Sequence, residues 1–242
     1  MAGPHTARAR ARAQMLDEIK LRALEQLAAE GAANLSLRAI ARDLGLVSSG
    51  IYRYYANRDE LLTALIIDAY QDLTRVVTAA DAETPVASFR SRWLLRCTAL
   101  RDWARTEPAR FQLIYGSPVS DYRAPQDTVA PAGAVVLAFF TVVSDAAADR
   151  APGATDGVPD PVLQDQLDQV AAGLEMTIPA AQLARAVGAF GEVIGLVTLE
   201  LGGHFVGGFE PAGPLFASCV SDIGDRLGLV DAPVDQSARS DS

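Results

Sequence analysis

The stretch "SSGIYRYYANRDELL", residues 48–62, concentrates three tyrosines (Tyr52, Tyr54, Tyr55) and two arginines (Arg53, Arg58) behind two serines and a glycine. Tyrosine hydroxyls and guanidinium groups both donate hydrogen bonds to phosphate oxygens, the guanidinium with charge assistance and in a bidentate fork. Ser48, Ser49 and Gly50 are small enough to let a backbone come close to the edge of a base. A packed core has no use for the arginines, and a solvated face has none for the tyrosines. A polyanion uses both.

Other chemistry is poorly served. The two histidines, His5 and His204, lie at opposite ends of the chain. They assemble neither a histidine-based metal site nor a catalytic triad, so no catalytic residue, metal or cofactor is expected. "GGHFVGG", residues 202–208, is glycine-rich, but no strand precedes it and no phosphate-binding lysine follows. Cys97 and Cys219 sit far apart in apolar helical patterns and read as small core residues. An enzyme is therefore the rival reading with least support.

The net charge of −9 argues at first against a nucleic-acid partner. Its distribution does not. Residues 1–58 carry nine basic side chains against five acidic ones, a balance of +4, and the rest of the chain stands at −13. A basic head on an acidic body predicts that only the head meets a polyanion. No run of about 18 uninterrupted apolar residues suggests a membrane span. The basic N-terminus leads into an amphipathic pattern rather than a signal-peptide core, so a cytoplasmic protein is expected.

The elements that must position the aromatic and cationic cluster are helical throughout. Residues 1–12 are expected as a basic flexible arm carrying Arg8, Arg10 and Arg12, able to add minor-groove contacts. Leu16, Ile19, Leu24, Leu27 and Ala28 form the stripe of an amphipathic helix that stops at Gly31. Ser36 caps a short helix, Leu37 to Leu44, which Gly45 ends. A second short helix is expected over Ser48–Tyr55, with Ile51 and Tyr55 packed inward and Ser48, Ser49, Tyr52 and Arg53 outward. Asn57 caps a long helix that fades near Ala80. Two short helices about a tight turn form a helix-turn-helix over residues 13–60. Beyond it, Thr84-Pro85 opens a helix to about Thr106, Pro108 starts a short one, and residues 117–125 form a loop. Residues 127–150 read as a central apolar helix, and 151–161 as a polar, mobile loop. Helices follow over about Pro179–His204 and Gly213–Leu227, and residues 230–242 are expected to be disordered.

"LSLRAIARDLGLVSSGIYRYYANRDELLTAL", residues 35–65, resembles the DNA-binding domain of the TetR family of bacterial one-component transcriptional regulators. The resemblance rests on the Ser36 start, the core at Ala39–Ala41, Gly45, Tyr52, Tyr55 and the basic-acidic-Leu-Leu opening of the next helix. It implies an all-α fold in which a three-helix head is joined by a long helix to a larger effector-binding and dimerisation domain, residues 61–229. It implies phosphate contacts from Ser36, Tyr52, Tyr54 and Arg58, and base or groove contacts from Arg38, Ser48, Ser49, Gly50 and Arg53. Two positions depart from the family pattern. Val47 stands where a capping Ser or Thr is usual, so Ser48 is expected to take over the cap. Arg58 replaces a lysine, keeping the charge with a different donor geometry. "FQLIYGSPVSDYRAPQDTV", residues 111–129, is similar to a subgroup common in actinobacteria, and one lysine against twenty arginines agrees with a GC-rich source.

The partners this implies are double-stranded DNA with a pseudo-palindromic operator, a small and largely apolar effector, and a second copy of the chain. Trp93, Trp103, Phe111, Tyr115, Phe139 and Phe140 are the candidate effector wall, with Arg96 or Arg101 available to an anionic group. Gly188, Gly191 and Gly195, at three- and four-residue spacing, would let another helix approach closely and are the candidate dimer contact. The expected function is a repressor released by its effector. The alternative is a small-molecule- or partner-binding helical protein whose head no longer reads DNA.

Overall fold

The computed structural model describes residues 4–82, 88–149 and 160–229. Nine α-helices and three short 3-10 turns account for the regular structure of these residues, with no strand among them. Contacts divide the chain into two compact units. One takes the chain up to Tyr70 together with Thr106–Pro131; the other takes Gln71–Arg105 and the chain from Ala132 onward.

The first unit, the head, opens with α1, Pro4–Glu30. The expected flexible arm is thus helical from Pro4. The reason is local: alternating Ala and Arg are among the best helix formers, Pro suits the first helical turn, and no other breaker occurs before Gly31. α2 spans Leu37–Asp43 and α3 spans Arg58–Ala79. Ile19, Ala23 and Leu27 of α1 pack with Leu37, Ile40 and Ala41 of α2, Ile51 and Tyr55, and Leu61, Leu62 and Leu65 of α3. The head also recruits α5, Pro108–Tyr115, and the loop after it. Leu113, Val119 and Tyr122 pack on the head core, and the Tyr122 hydroxyl lies 2.9 Å from Thr63 Oγ1.

The second unit contains the end of α3, then α4 (Phe89–Thr106), α6 (Val129–Ala148), α7 (Pro161–Gly173), α8 (Ala180–Leu201) and α9 (Gly213–Arg226), with the single residue Thr106 and the first turn of α6 counted in the head. Trp93, Cys97 and Leu100 of α4, Val135, Phe139 and Val143 of α6, Leu183 and Val193 of α8, and Val220 and Ile223 of α9 are buried. α6 and α8 are each long and apolar enough to cross a membrane. The buried stripe of α6 already finds its apolar partners in the core of this unit.

α7 was not expected from sequence. Asp160 caps it, its Oδ1 accepting from Val162 N at 2.9 Å and Leu163 N at 3.4 Å, with Pro161 in the first turn. The capping signal was present. The apolar stripe was weak, because among its residues only Leu167 is buried while Val162, Leu163 and Val170 are exposed. The Thr84-Pro85 start signal, most of the 151–161 loop and the 230–242 tail lie outside the described residues.

Candidate nucleic-acid interface

Ser36 caps α2 as expected, its Oγ accepting from Ala39 N at 3.3 Å, while its own N–H donates to the Gln26 side chain at 2.9 Å. Gly45, at φ 65°, reverses the chain after α2, and the Leu46 N–H closes back on the Ala41 carbonyl at 2.8 Å. A side chain would be strained at that φ. This turn sets the direction in which the aromatic and cationic segment leaves.

That segment is tighter than the α-helix expected over Ser48–Tyr55. It is a 3-10 turn, Ile51–Arg53, flanked by turns. Two serines and a glycine give the backbone little helical preference, and the short Gly50 N–H to Val47 O contact, 2.6 Å, draws the chain inward. A Cβ on Gly50 would lie 3.0 Å from that same oxygen. Gly50, expected at the groove, is therefore buried and serves to close the turn. Nor does Ser48 act as a side-chain cap on this turn.

The division of faces does follow the helical expectation. Ile51 is fully buried and Tyr55 nearly so, while Ser48, Ser49, Tyr52 and Arg53 are exposed and Tyr54 is half-buried. Burial, aided by the negative charges of Asp68, Glu60 and Asp17, pushes the Tyr55 phenol up to about 12. It remains a neutral anchor beneath the exposed residues. Val47, the departure from the family pattern, is 71% exposed, so the change leaves no gap in the core.

Ser36, Leu37, Arg38, Tyr52, Ala56, Asn57 and Arg58 line one shallow recess of about 300 Å³. It gathers Ser36, Arg38, Tyr52 and Arg58, distant in sequence, on one side of the head. Arg38 is exposed and makes no ion pair among the described residues. Arg58 is differently employed. Its Nη2 donates to the Ala32 carbonyl at 2.7 Å and the Ala33 carbonyl at 3.3 Å, and Nη1 lies 3.6 Å from Asp59. Expected on a phosphate, this guanidinium ties the α1–α2 connection to the start of α3. Asn57 caps α3 through Glu60 N at 2.9 Å, and Glu60 in return accepts from Ala56 N at 2.5 Å.

Sequence reasoning missed Arg12 as a fixed residue. Its Nη1 donates to the Arg53 carbonyl at 3.2 Å, and its guanidinium lies 5.2 Å from the Tyr54 ring centroid. The two segments are 41 positions apart, so no local pattern announced the contact.

The six aromatics expected to line an effector site are divided between the two units. Phe111 and Tyr115 belong to the head, where Tyr115 meets Phe111 at 5.4 Å and Tyr70 at 6.3 Å between ring centroids. Trp93, Trp103, Phe139 and Phe140 are buried in the second unit. Trp93 stacks edge-on with Phe139 at 5.8 Å and donates to the Val220 carbonyl at 3.0 Å; Trp103 donates to Asp72 at 2.9 Å. Rings with packed faces and satisfied N–H groups are core. The two arginines considered for an anion are also engaged. Arg96 pairs with Asp81 at 2.7 Å and donates to the Ala138 carbonyl, and Arg101 meets both carboxylate oxygens of Glu200 at 2.6 Å.

The open recess of the second unit lies elsewhere, at about 630 Å³, between Arg101, Arg105 and Glu200 and the α8–α9 connection with Phe205, Val206 and Phe209. On α8, among the described residues, nothing beyond the helix's own backbone comes within 4 Å of where a Cβ would stand on Gly188, Gly191 or Gly195. Among the described residues, no close packing calls for a glycine at these positions.

Two family descriptions match the chain. Residues 21–65 match the family described as bacterial regulatory proteins, tetR family, and residues 93–223 match that described as tetracyclin repressor-like, C-terminal domain. The chain is 39% identical over 181 residues to the HTH-type transcriptional regulators Rv1816 of Mycobacterium tuberculosis (strain ATCC 25618 / H37Rv) and Mb1846 of Mycobacterium bovis, covering 74% of this chain and 77% of each of theirs. Among solved structures it is similar to the regulatory protein SCO4313, at 36% identity and TM-score 0.72 over 89% of this chain and 97% of that one. A tetR-family regulatory protein from Rhodococcus RHA1, at 19% identity and TM-score 0.58 over 89% and 98% of the two chains, shares the fold.

Proposed function

This chain belongs to the TetR family of bacterial regulatory proteins, DNA-binding transcriptional regulators, and from that premise we propose that it is a cytoplasmic homodimeric repressor released from a pseudo-palindromic operator by a small-molecule effector. The observation that carries the reading is the exposed set Ser48, Ser49, Tyr52 and Arg53, with Arg38 beside it, standing on the buried anchors Ile51 and Tyr55. Serines at the start of the turn suit base edges in the major groove; Tyr52 and Ser36 suit the flanking phosphates. Arg53 and Arg38 carry the bidentate donors that read guanine. Tyr54, half-buried, contributes its hydroxyl from the side. Arg58 supports the recess from behind more than it offers donors of its own.

A second copy is supported by the face of α8. Gly188, Gly191 and Gly195 front open space, and Val187 and Leu199 on the same helix are exposed at 49% and 42%. A helix laid against this face would cover both. A two-fold dimer places its recognition segments one turn of DNA apart, roughly 34–36 Å. Effector entry is assigned to the second unit. The recess combines Phe205, Val206 and Phe209 with Arg101, Arg105, Glu200 and Glu210, suiting a largely apolar molecule with a few polar groups. α3 offers the mechanical link, since its residues up to Tyr70 belong to the head and those from Gln71 to the second unit. Coupling of this kind typically amounts to about 1–3 kcal/mol, or roughly 5- to 150-fold in affinity.

The test is selection of duplexes by the purified protein from a random pool, with mass measurement of the complex. A pseudo-palindrome bound by one or two dimers is expected, and effector screening can then use that duplex. Recovery of no motif, with only weak binding, would sink the reading and leave the second unit's ligand as the question.

A further inference from the structure

Residues 7–14 of α1 are exposed on every side, and packing begins only at Met15. The first turns of the helix therefore extend past the packed part of the head. Helical geometry puts Arg8 and Arg12, four residues apart, on one face, and Arg10 on the far side. No acidic residue precedes Asp17. Arg12 fastens this face to the recognition turn, through the Arg53 carbonyl at 3.2 Å and the Tyr54 ring at 5.2 Å. Arg8 lies one helical turn further out, about 5–6 Å along the same face. It makes no ion pair among the described residues, and neither does Arg10.

We propose that the Arg8–Arg12 face of this helical extension is a second phosphate-binding surface, which grips the DNA backbone beside the groove that the recognition turn enters. The proposal rests on the DNA-binding reading above. A flexible arm can thread a minor groove; this segment cannot. An α-helix with its side chains is about 10–12 Å across, and the minor groove is about 6 Å wide. Its arginines are left to reach phosphates from outside, in contacts that are charge-assisted and indifferent to sequence. The Arg12 anchor matters because a guanidinium held in place loses less freedom on meeting a phosphate than one at the end of a mobile tail.

Arg10 supplies the internal control, since Arg10→Ala removes the same charge from the opposite face and keeps a good helix former. The full-length protein is titrated with salt against two duplexes, the one enriched from the random pool and a scrambled duplex of equal length. Arg8→Ala should flatten the slope of log K against log salt by about 0.9 per protomer, hence about 1.8 for a dimer. The corresponding loss is roughly 60-fold near 0.1 M salt on both duplexes, fading toward 1 M. Arg10→Ala should leave the slope near that of the parent, and Arg8→Lys should restore most of it. A minor-groove-binding dye should not displace the Arg8 contribution. Equal effects of Arg8→Ala and Arg10→Ala would overturn the proposal, as would a loss confined to the enriched duplex. If the parent protein enriches no duplex and binds neither, the regulator reading itself fails; if the parent binds and Arg8→Ala matches it, only the second surface is lost.

Discussion

The head and the second unit differ in how far their arginines reach: the head's printed pairs, such as Arg22–Glu25 and Arg110–Glu107, join neighbours in sequence, whereas several in the second unit join separate helices. In the second unit arginine is a structural cross-link. Arg92 bridges Asp81 at 3.0 Å and Asp145 at 2.9 Å, Arg96 shares Asp81, Arg101 chelates Glu200, Arg90 meets Asp225, and Arg226 meets Glu192. In the head, Arg8, Arg10 and Arg38 are exposed and make no ion pair among the described residues. Arg12 and Arg58 direct donors at backbone carbonyls of the segments that carry the interface, Arg58 also lying 3.6 Å from Asp59. Donors already satisfied by carboxylates stabilise a unit and have little attraction left for an anion; donors facing water remain available to one. The charge asymmetry of the sequence thus corresponds to a difference in what the charges touch.

The sharpest way to break that contrast is Asp81→Ala. Its carboxylate is the shared partner of two arginines, of which Arg96 is 7% exposed. Removing it leaves a buried cation without its counter-ion, which should cost about 3–5 kcal/mol in denaturant unfolding. A loss below about 1 kcal/mol would place the second unit's arginines in the same class as the exposed ones of the head.

Alkaline pH should bear on the head through Tyr55. Its phenol ionises near 10 in an unfolded chain but is held up to about 12 by burial in the folded one. The folded state keeps the proton more tightly, so this contribution is full below pH 10 and is lost as pH rises through 12. The loss is of order 2 kcal/mol. Stability of the Tyr55→Phe variant, measured over the same range, should fall less steeply; parallel curves would show that another group governs the alkaline limb.

Arg38→Ala separates stability from binding. It should leave unfolding within about 0.5 kcal/mol of the parent and weaken the enriched duplex by about 1–3 kcal/mol, with relaxed preference at one base pair. A uniform loss on all duplexes would move Arg38 to the phosphate contacts. Smallest of the four, Ser36→Ala removes the cap of α2 and should cost the head about 1 kcal/mol. An unchanged melting curve would mean that the Gln26 side chain, already bonded to the Ser36 N–H, holds this end of the helix without the hydroxyl.

Much of the head was legible because its signals are local. The Ser36 and Asn57 caps, the Gly45 turn, and the inward pair Ile51 and Tyr55 each follow from residue type and spacing over a few positions. What could not be read locally depended on partners far along the chain. Nothing near Arg58 in the sequence reveals the Ala32 and Ala33 carbonyls to which its Nη2 donates. Phe111 and Tyr115 were grouped with Trp93 by residue type alone, and nothing local shows that the chain returns them to the head. The arm looked flexible because it lacks an apolar stripe, although alternating Ala and Arg need none to be helical.

Sequence by itself determined the helical class, the place of the helix-turn-helix, its family and the sign of charge at each end, since these depend on periodicity, capping and composition. Tertiary structure alone decided which donors remain free. It closed the recognition segment into a 3-10 turn around the buried Gly50, fastened Arg12 to Arg53 across 41 positions, and packed the indole rings of the second unit into core. The physical reason is that a hydrogen-bonding group is defined by what it is already bonded to, and for these residues the partners come from distant parts of the chain.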